Sequence, residues 1–152
     1  MRLSLCAVGR LRKGPERVLT DDYLDRFART GRVVGLGPAE LVEVDDRKGD
    51  ADARLIRAVP EGARLCALDE RGRAMTSPEF AAMLAAWRDG GAGRAAFVIG
   101  GADGLDRALL DRADSALSLG PMVWPHMLAR VMLAEQLYRA AAILAGTPYH
   151  RD

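Results

Sequence analysis

The chain predicts an α/β fold, a mostly parallel sheet with helices on both faces. Three observations carry that expectation. Short apolar runs alternate with helix-periodic segments along nearly the whole sequence. Several runs are apolar at almost every position, as strands covered on both faces must be. Proline and glycine mark the starts and ends of the intervening helices. A repeated βα order requires crossover connections, and these build a parallel sheet.

Residues 2–8 read as the first strand and residues 15–30 as the first helix. Pro15 suits the first turn, Val18, Leu19, Tyr23, Leu24 and Phe27 recur at helical spacing, and Gly31 stops the run. Residues 39–44 form a second strand, 51–59 a short helix closed by Pro60, and 63–68 a third, nearly continuously apolar strand. Ser77 is the expected N-cap of the next helix, with Pro78 as its first residue and Phe80, Met83, Leu84 and Trp87 on its buried side. Gly90 and Gly91 end it. A fourth strand over 94–99, a short helix over 106–112, a fifth strand over 116–119 and the longest helix, 126–144, complete one domain spanning residues 1–152.

With 22 basic and 21 acidic residues the net charge is +1, so no whole-molecule attraction to nucleic acid is encoded and any such contact must be local. Basic residues gather at Arg10, Arg12, Lys13 and Arg17, and again at Arg47 and Lys48; either group also reads as a solvated face. Cys6 and Cys66 lie inside apolar runs without a CxxC partner, which predicts buried, reduced thiols and a cytoplasmic protein. No run approaches the ~18 apolar residues of a membrane span, and the amino terminus lacks a secretory profile, so neither membrane insertion nor export is expected.

Ligands of parallel α/β sheets lie beyond the carboxyl ends of the strands. The loops after strands three, four and five, residues 68–72, 100–104 and 119–124, can therefore share one pocket. Gly100 and Gly101 let backbone approach a ligand closely. The third loop is apolar, carries little bulk at Gly120, and leads through Pro125 into a helix start whose free N–H groups favour negative charge. It suits a flat group with polar edges, such as adenine. A simple tight turn at Gly100 and Gly101 is the plainer alternative. The loop after strand one lacks the GxGxxG phosphate turn, which argues against a dinucleotide-dependent oxidoreductase, and Asp45 and Asp46 read equally as a solvated loop.

His126 lies at a helix start and His150 near the end of the sequence. Tyr149, His150 and Arg151 place a phenol, an imidazole and a guanidinium side by side, groups able to stack on a base, move a proton and bind phosphate. Glu135 and Arg139, four apart, read as a surface ion pair. Arg130 has no such partner in sequence and falls one turn into the last helix, near the expected pocket.

The segments 98–105, 124–131, 135–140 and 148–151, in that order, resemble the motifs of the bacterial large-subunit ribosomal RNA pseudouridine N3-methyltransferases, small members of the SPOUT or α/β-knot superfamily. The similarity extends to the opening residues 2–9 and so covers nearly the full length. It implies a trefoil knot near the carboxyl terminus, a homodimer, and S-adenosylmethionine held in the knot. Carried over residue by residue, the cofactor positions are Leu68, Gly100, Gly101, Leu119, Gly120, Pro121, Met122, Val123 and Trp124. Ala102 with Asp103, and Gly120 with Pro121, depart from the residues common in relatives, which leaves those positions a backbone role.

The reaction so implied is methylation of N3 of a pseudouridine in a loop of 23S ribosomal RNA. On that reading His150 accepts the N3 proton, Tyr149 stacks or orients, and Arg130 and Arg151 stabilise charge on the flanking carbonyls. The near-neutral charge favours an assembled large subunit or ribosome as substrate, with no DNA and no membrane partner. The tail follows a long helix and is expected to complete the site of a second subunit. A non-catalytic knotted dimer that binds cofactor or RNA is the competing expectation.

Overall fold

The computed structural model describes residues 1–45 and 50–150. Asp46, Arg47, Lys48 and Arg151 lie outside the described residues. Five strands, β1 (Arg2–Val8), β2 (Ala39–Val44), β3 (Arg64–Ala74), β4 (Arg94–Ile99) and β5 (Ser115–Ser118), form one sheet in the order β2-β1-β4-β3-β5. Every neighbouring pair is parallel, so all the loops that follow strands open on one edge.

Alternation along the central strands divides the core in two. Leu3, Leu5 and Ala7 of β1, with Ala95, Phe97 and Ile99 of β4, face one layer of helices. That layer holds α1 (Pro15–Gly31), α3 (Ser77–Asp89) and α5 (His126–Leu144), whose Phe27, Phe80, Leu84, Leu133 and Leu137 are fully buried. Cys6 and Val8, with Ala96 and Val98, face α2 (Ala51–Ala58) and α4 (Arg107–Arg112), contributing Leu55 and Leu109. Two-sided burial is why these strands read as continuous apolar runs rather than as alternating ones.

Several boundaries differ from expectation, most by a single residue. Thr76, not Ser77, caps α3: its hydroxyl accepts from the Glu79 amide at 3.3 Å while Glu79 Oε2 accepts the Thr76 amide at 2.8 Å, a reciprocal capping box. Ser77 instead donates its hydroxyl to Gln136 at 2.8 Å and ties α3 to α5. Strand β5 spans Ser115–Ser118 rather than 116–119, which leaves Leu119 to the cleft loop. The largest difference is in β3, which runs to Ala74 instead of ending at Leu68. Both Leu68 and Arg73 pair with Leu117 of β5, and the residues between them leave the sheet and return. A methyl group on Gly72 would stand 2.7 Å from the backbone of Ala116, so only glycine permits that return. The charged run Asp69, Glu70, Arg71 offers no apolar periodicity, which is why the sequence reading stopped the strand there.

Candidate active site

The carboxyl edge of the sheet holds a cleft of about 340 Å³, within the ordinary range for a small-molecule site. Leu68, Gly100, Gly101, Leu119, Gly120, Met122, Val123 and Trp124 line it, so the three loops do converge. Pro121 sits in the same loop without lining the cleft. Asp69, Glu70, Arg71, Leu105, His126 and Ala129 are also part of the wall. Asp69, Glu70 and Arg71 belong to the first of the three loops expected to share the pocket, and His126 joins them from the start of α5.

Local chemistry shapes each wall. The β4 loop folds back on itself, with the Gly104 amide donating to the Gly101 carbonyl at 3.2 Å. A methyl group on Gly100 would stand 2.6 Å from the Gly104 carbonyl carbon, and one on Gly101 would press Val8 at 3.3 Å. Side chains are excluded here by backbone. In the third loop Ser118 closes the turn, its hydroxyl accepting from the Gly120 amide and donating to the Gly120 carbonyl, both at 3.2 Å. Gly120 takes φ +105°, which disfavours any L side chain. Asp69 accepts both the amide (2.9 Å) and the guanidinium (3.1 Å) of Arg71, which stiffens the first wall and holds its carboxyl below the usual range.

Arg130 is placed otherwise than expected. It lies on α5 with its side chain 0% exposed, yet it does not line the cleft. Its guanidinium donates to the carbonyls of Val8 and Gly9, the latter at 2.9 Å, and lies 3.4 Å from Glu43. Burial lowers its pKa, and Glu43 opposes that shift. Arg130 therefore clamps the end of β1 to α5.

The tail folds back along α5. Gly146, at φ +66°, ends the helix in a Schellman turn: its amide reaches Ile143 O at 3.1 Å and the Thr147 amide reaches Ala142 O at 2.9 Å. Tyr149 then packs on Tyr138, ring centres 4.4 Å apart, and donates its hydroxyl to Glu135 at 3.0 Å. Arg139 bonds the same carboxylate oxygen through Nε at 3.0 Å, lies over the Tyr149 ring at 4.9 Å, and approaches His150 Nδ1 at 3.4 Å. The Glu135 and Arg139 pair exists as read, but it organises the tail instead of merely decorating the surface. Burial, then Glu135, raises the Tyr149 pKa, so the phenol keeps its proton at neutral pH.

This cluster and the cleft are separate within one chain. From His126, which lines the cleft, to Arg139 the helix rises roughly 20 Å. Several apolar side chains are exposed: Met122 (70%) and Val123 (86%) in the third cleft loop, and Val18 (68%) on α1.

A parallel sheet with helices on both faces and a glycine-lined cleft of ligand size at the strand ends defines an α/β protein. Residues 1–150 match the family described as Predicted SPOUT methyltransferase, and the chain belongs to that SPOUT methyltransferase family. It is 69% identical to a Dinoroseobacter shibae protein and 65% identical to a Roseobacter denitrificans protein, each named Ribosomal RNA large subunit methyltransferase H. The alignments cover 99% of both chains in the first case and 100% in the second. A solved structure of a probable methylase family protein from Haemophilus influenzae shares the fold, with a TM-score of 0.53 at 14% identity, over 99% of this chain and 70% of that one.

Proposed function

We propose that this methyltransferase uses S-adenosylmethionine to methylate N3 of a pseudouridine in a single-stranded loop of 23S ribosomal RNA. The substrate is the assembled large subunit or ribosome in the cytoplasm, and the enzyme is a knotted homodimer. The names of the two relatives supply the substrate class, and the cleft supplies the cofactor fit. The Gly100 and Gly101 backbone admits close approach, Leu68, Leu119 and Trp124 offer apolar faces for a flat base, and loop amides offer its edges hydrogen bonds. Bound there, the cofactor supplies an electrophilic methyl group.

The observation that carries the dimer is the position of the tail. Tyr149 and His150 stand along α5 far from their own cleft, so a site containing both needs the tail of a second copy. Exposed Val18, Met122 and Val123 are the apolar surface such a copy would cover. Membership of the SPOUT family is what supports the knotted fold.

In this reading His150 removes the N3 proton of the base, which frees the lone pair for methyl transfer. Tyr149, kept protonated, orients the base through its ring and hydroxyl. Arg151 stabilises the developing charge on a flanking carbonyl. Holding N3 in line with the methyl group supplies much of the acceleration.

The test mixes two impaired variants, Gly100→Ala in the cleft and His150→Ala in the tail, at a cofactor concentration that the Gly100→Ala cleft does not fill. Each heterodimer should regain one intact site of its two, measured on large subunits from a strain lacking the activity. Absence of rescue would sink the shared site, and equal methylation of a short free stem-loop would sink the assembled substrate.

A further inference from the structure

The loop joining β1 to α1, residues 9–14, opens on the same edge as the cleft, because every strand of the sheet is parallel. It begins beside the glycine wall: β1 pairs with β4 through Ala7 and Ile99, and Val8 lies 3.3 Å from the position a Gly101 methyl group would take. Within it Leu11 points inward, 7% exposed, while Arg10, Arg12 and Lys13 are exposed.

The backbone of this loop is held from below. Gly9 donates its amide to Val44 O at 2.8 Å, and its carbonyl accepts from Arg130 at 2.9 Å. The Leu11 amide donates to Glu43 at 2.6 Å. Three cations thus stand on a fixed platform, which lowers the entropy lost on gripping an anion. None of the three has a carboxylate partner among the described residues, whereas Arg17, just inside α1, is neutralised by Asp21 at 2.8 Å and Glu43 at 3.6 Å. Other exposed arginines without such a partner include Arg2 and Arg94, which begin β1 and β4 and so lie at the opposite edge of the sheet.

We propose that Arg10, Arg12 and Lys13 form a phosphate grip that holds the RNA backbone beside the target nucleotide, with Arg130 and Glu43 as the positioning residues beneath it. The proposal rests on the RNA substrate argued above. A protein with net charge +1 has no general field to draw RNA in, so its affinity must come from a local group of cations at the reacting edge. Guanidinium groups suit this by offering paired N–H donors to phosphate oxygens.

The test substitutes Arg10→Gln, Arg12→Gln and Lys13→Gln together in the full chain. Binding to large subunits is followed by co-sedimentation between about 50 and 200 mM salt, with kcat, KM and cofactor affinity measured alongside. Binding should weaken about tenfold or more at the low end, and the log–log salt slope should become shallower by about two, as loss of three single-strand phosphate contacts requires. KM for subunits should rise while kcat and cofactor affinity hold. Unchanged affinity and slope would overturn the grip, as would an equal loss on substituting Arg2→Gln and Arg94→Gln. Sedimentation needs no turnover, so a wild-type chain that binds subunits without methylating them defeats the proposed reaction and still decides the grip.

Discussion

Tyr149 donates its hydroxyl to Glu135 at 3.0 Å, fourteen positions back along the chain, and Arg139 bonds the same carboxylate oxygen. One acidic side chain thus sets the place of the phenol and, through Arg139, of His150. Replacing Glu135→Ala should free the tail and lower kcat by about tenfold or more, with cofactor affinity unchanged. Glu135→Gln should recover part of the loss, because an amide oxygen still accepts from the phenol, though less strongly than a charged one. Cofactor affinity lost in parallel with kcat would mean that Glu135 supports the whole fold and not the tail.

His150→Ala should reduce kcat by about 100-fold or more, the usual scale for loss of a general base. Calorimetry should find cofactor binding intact, since the imidazole lies along α5 beside Arg139 and not among the residues lining the cleft. Turnover within a few-fold of wild type would remove His150 from the proton transfer.

At Gly100 the prediction is steric. Gly100→Ala forces the new methyl group to within 2.6 Å of the Gly104 carbonyl carbon, so the loop must shift and cofactor affinity should fall by about tenfold or more. Gly93→Ala, where nothing lies within 4 Å and the backbone needs no positive φ, should change stability by no more than about 0.5 kcal/mol. Isothermal titration of both variants separates the clash from a general intolerance of alanine.

Arg130→Met tests a clamp against a catalyst. The substitution leaves the Val8 and Gly9 carbonyls without their donor and Glu43 without its buried partner, which should destabilise the chain by about 3 kcal/mol in urea titration. A variant as stable as the wild type but without turnover would return Arg130 to the reacting base.

The two cysteines give a pH dependence. Burial pushes the thiols of Cys6 and Cys66 from 9.0 up to about 12. The folded chain then holds protons that the unfolded chain releases, so this stabilisation is complete below pH 9 and is lost as the pH rises through about 12. Urea midpoints should fall across that window, and less steeply in Cys66→Ala. Thiol reagents at pH 8 should label neither residue until denaturant is added; labelling of the native chain would contradict the burial.

Much of this was legible from local pattern. The longest helix was bounded correctly at His126 and Leu144 because Pro125 and an unbroken apolar repeat mark it. The three loops of the cleft followed from parallel topology alone. What escaped was non-local. Arg130 finds its carbonyls at Val8 and Gly9, more than a hundred residues earlier, and no periodicity points there. The second half of β3 is charged and pairs only through the β5 backbone, so its side chains carry no strand signal. Glu135 was found with Arg139 by helical spacing, but its bond to Tyr149 depends on the reversal at Gly146, whose glycine just past the helix was the one available clue.

The double pairing of Leu117 with Leu68 and Arg73 makes the cleft wall and the sheet edge one hydrogen-bonded piece. Leu68 and Arg73, which bracket residues 69–71, cannot leave their places without straining or releasing β5. Local opening of the edge strand and loss of the binding wall are therefore a single event, and a ligand that fills the cleft stabilises both by mass action. Amide exchange at Leu117 and Ser118 becomes a gauge of cleft occupancy, slowing as the cofactor concentration passes its dissociation constant.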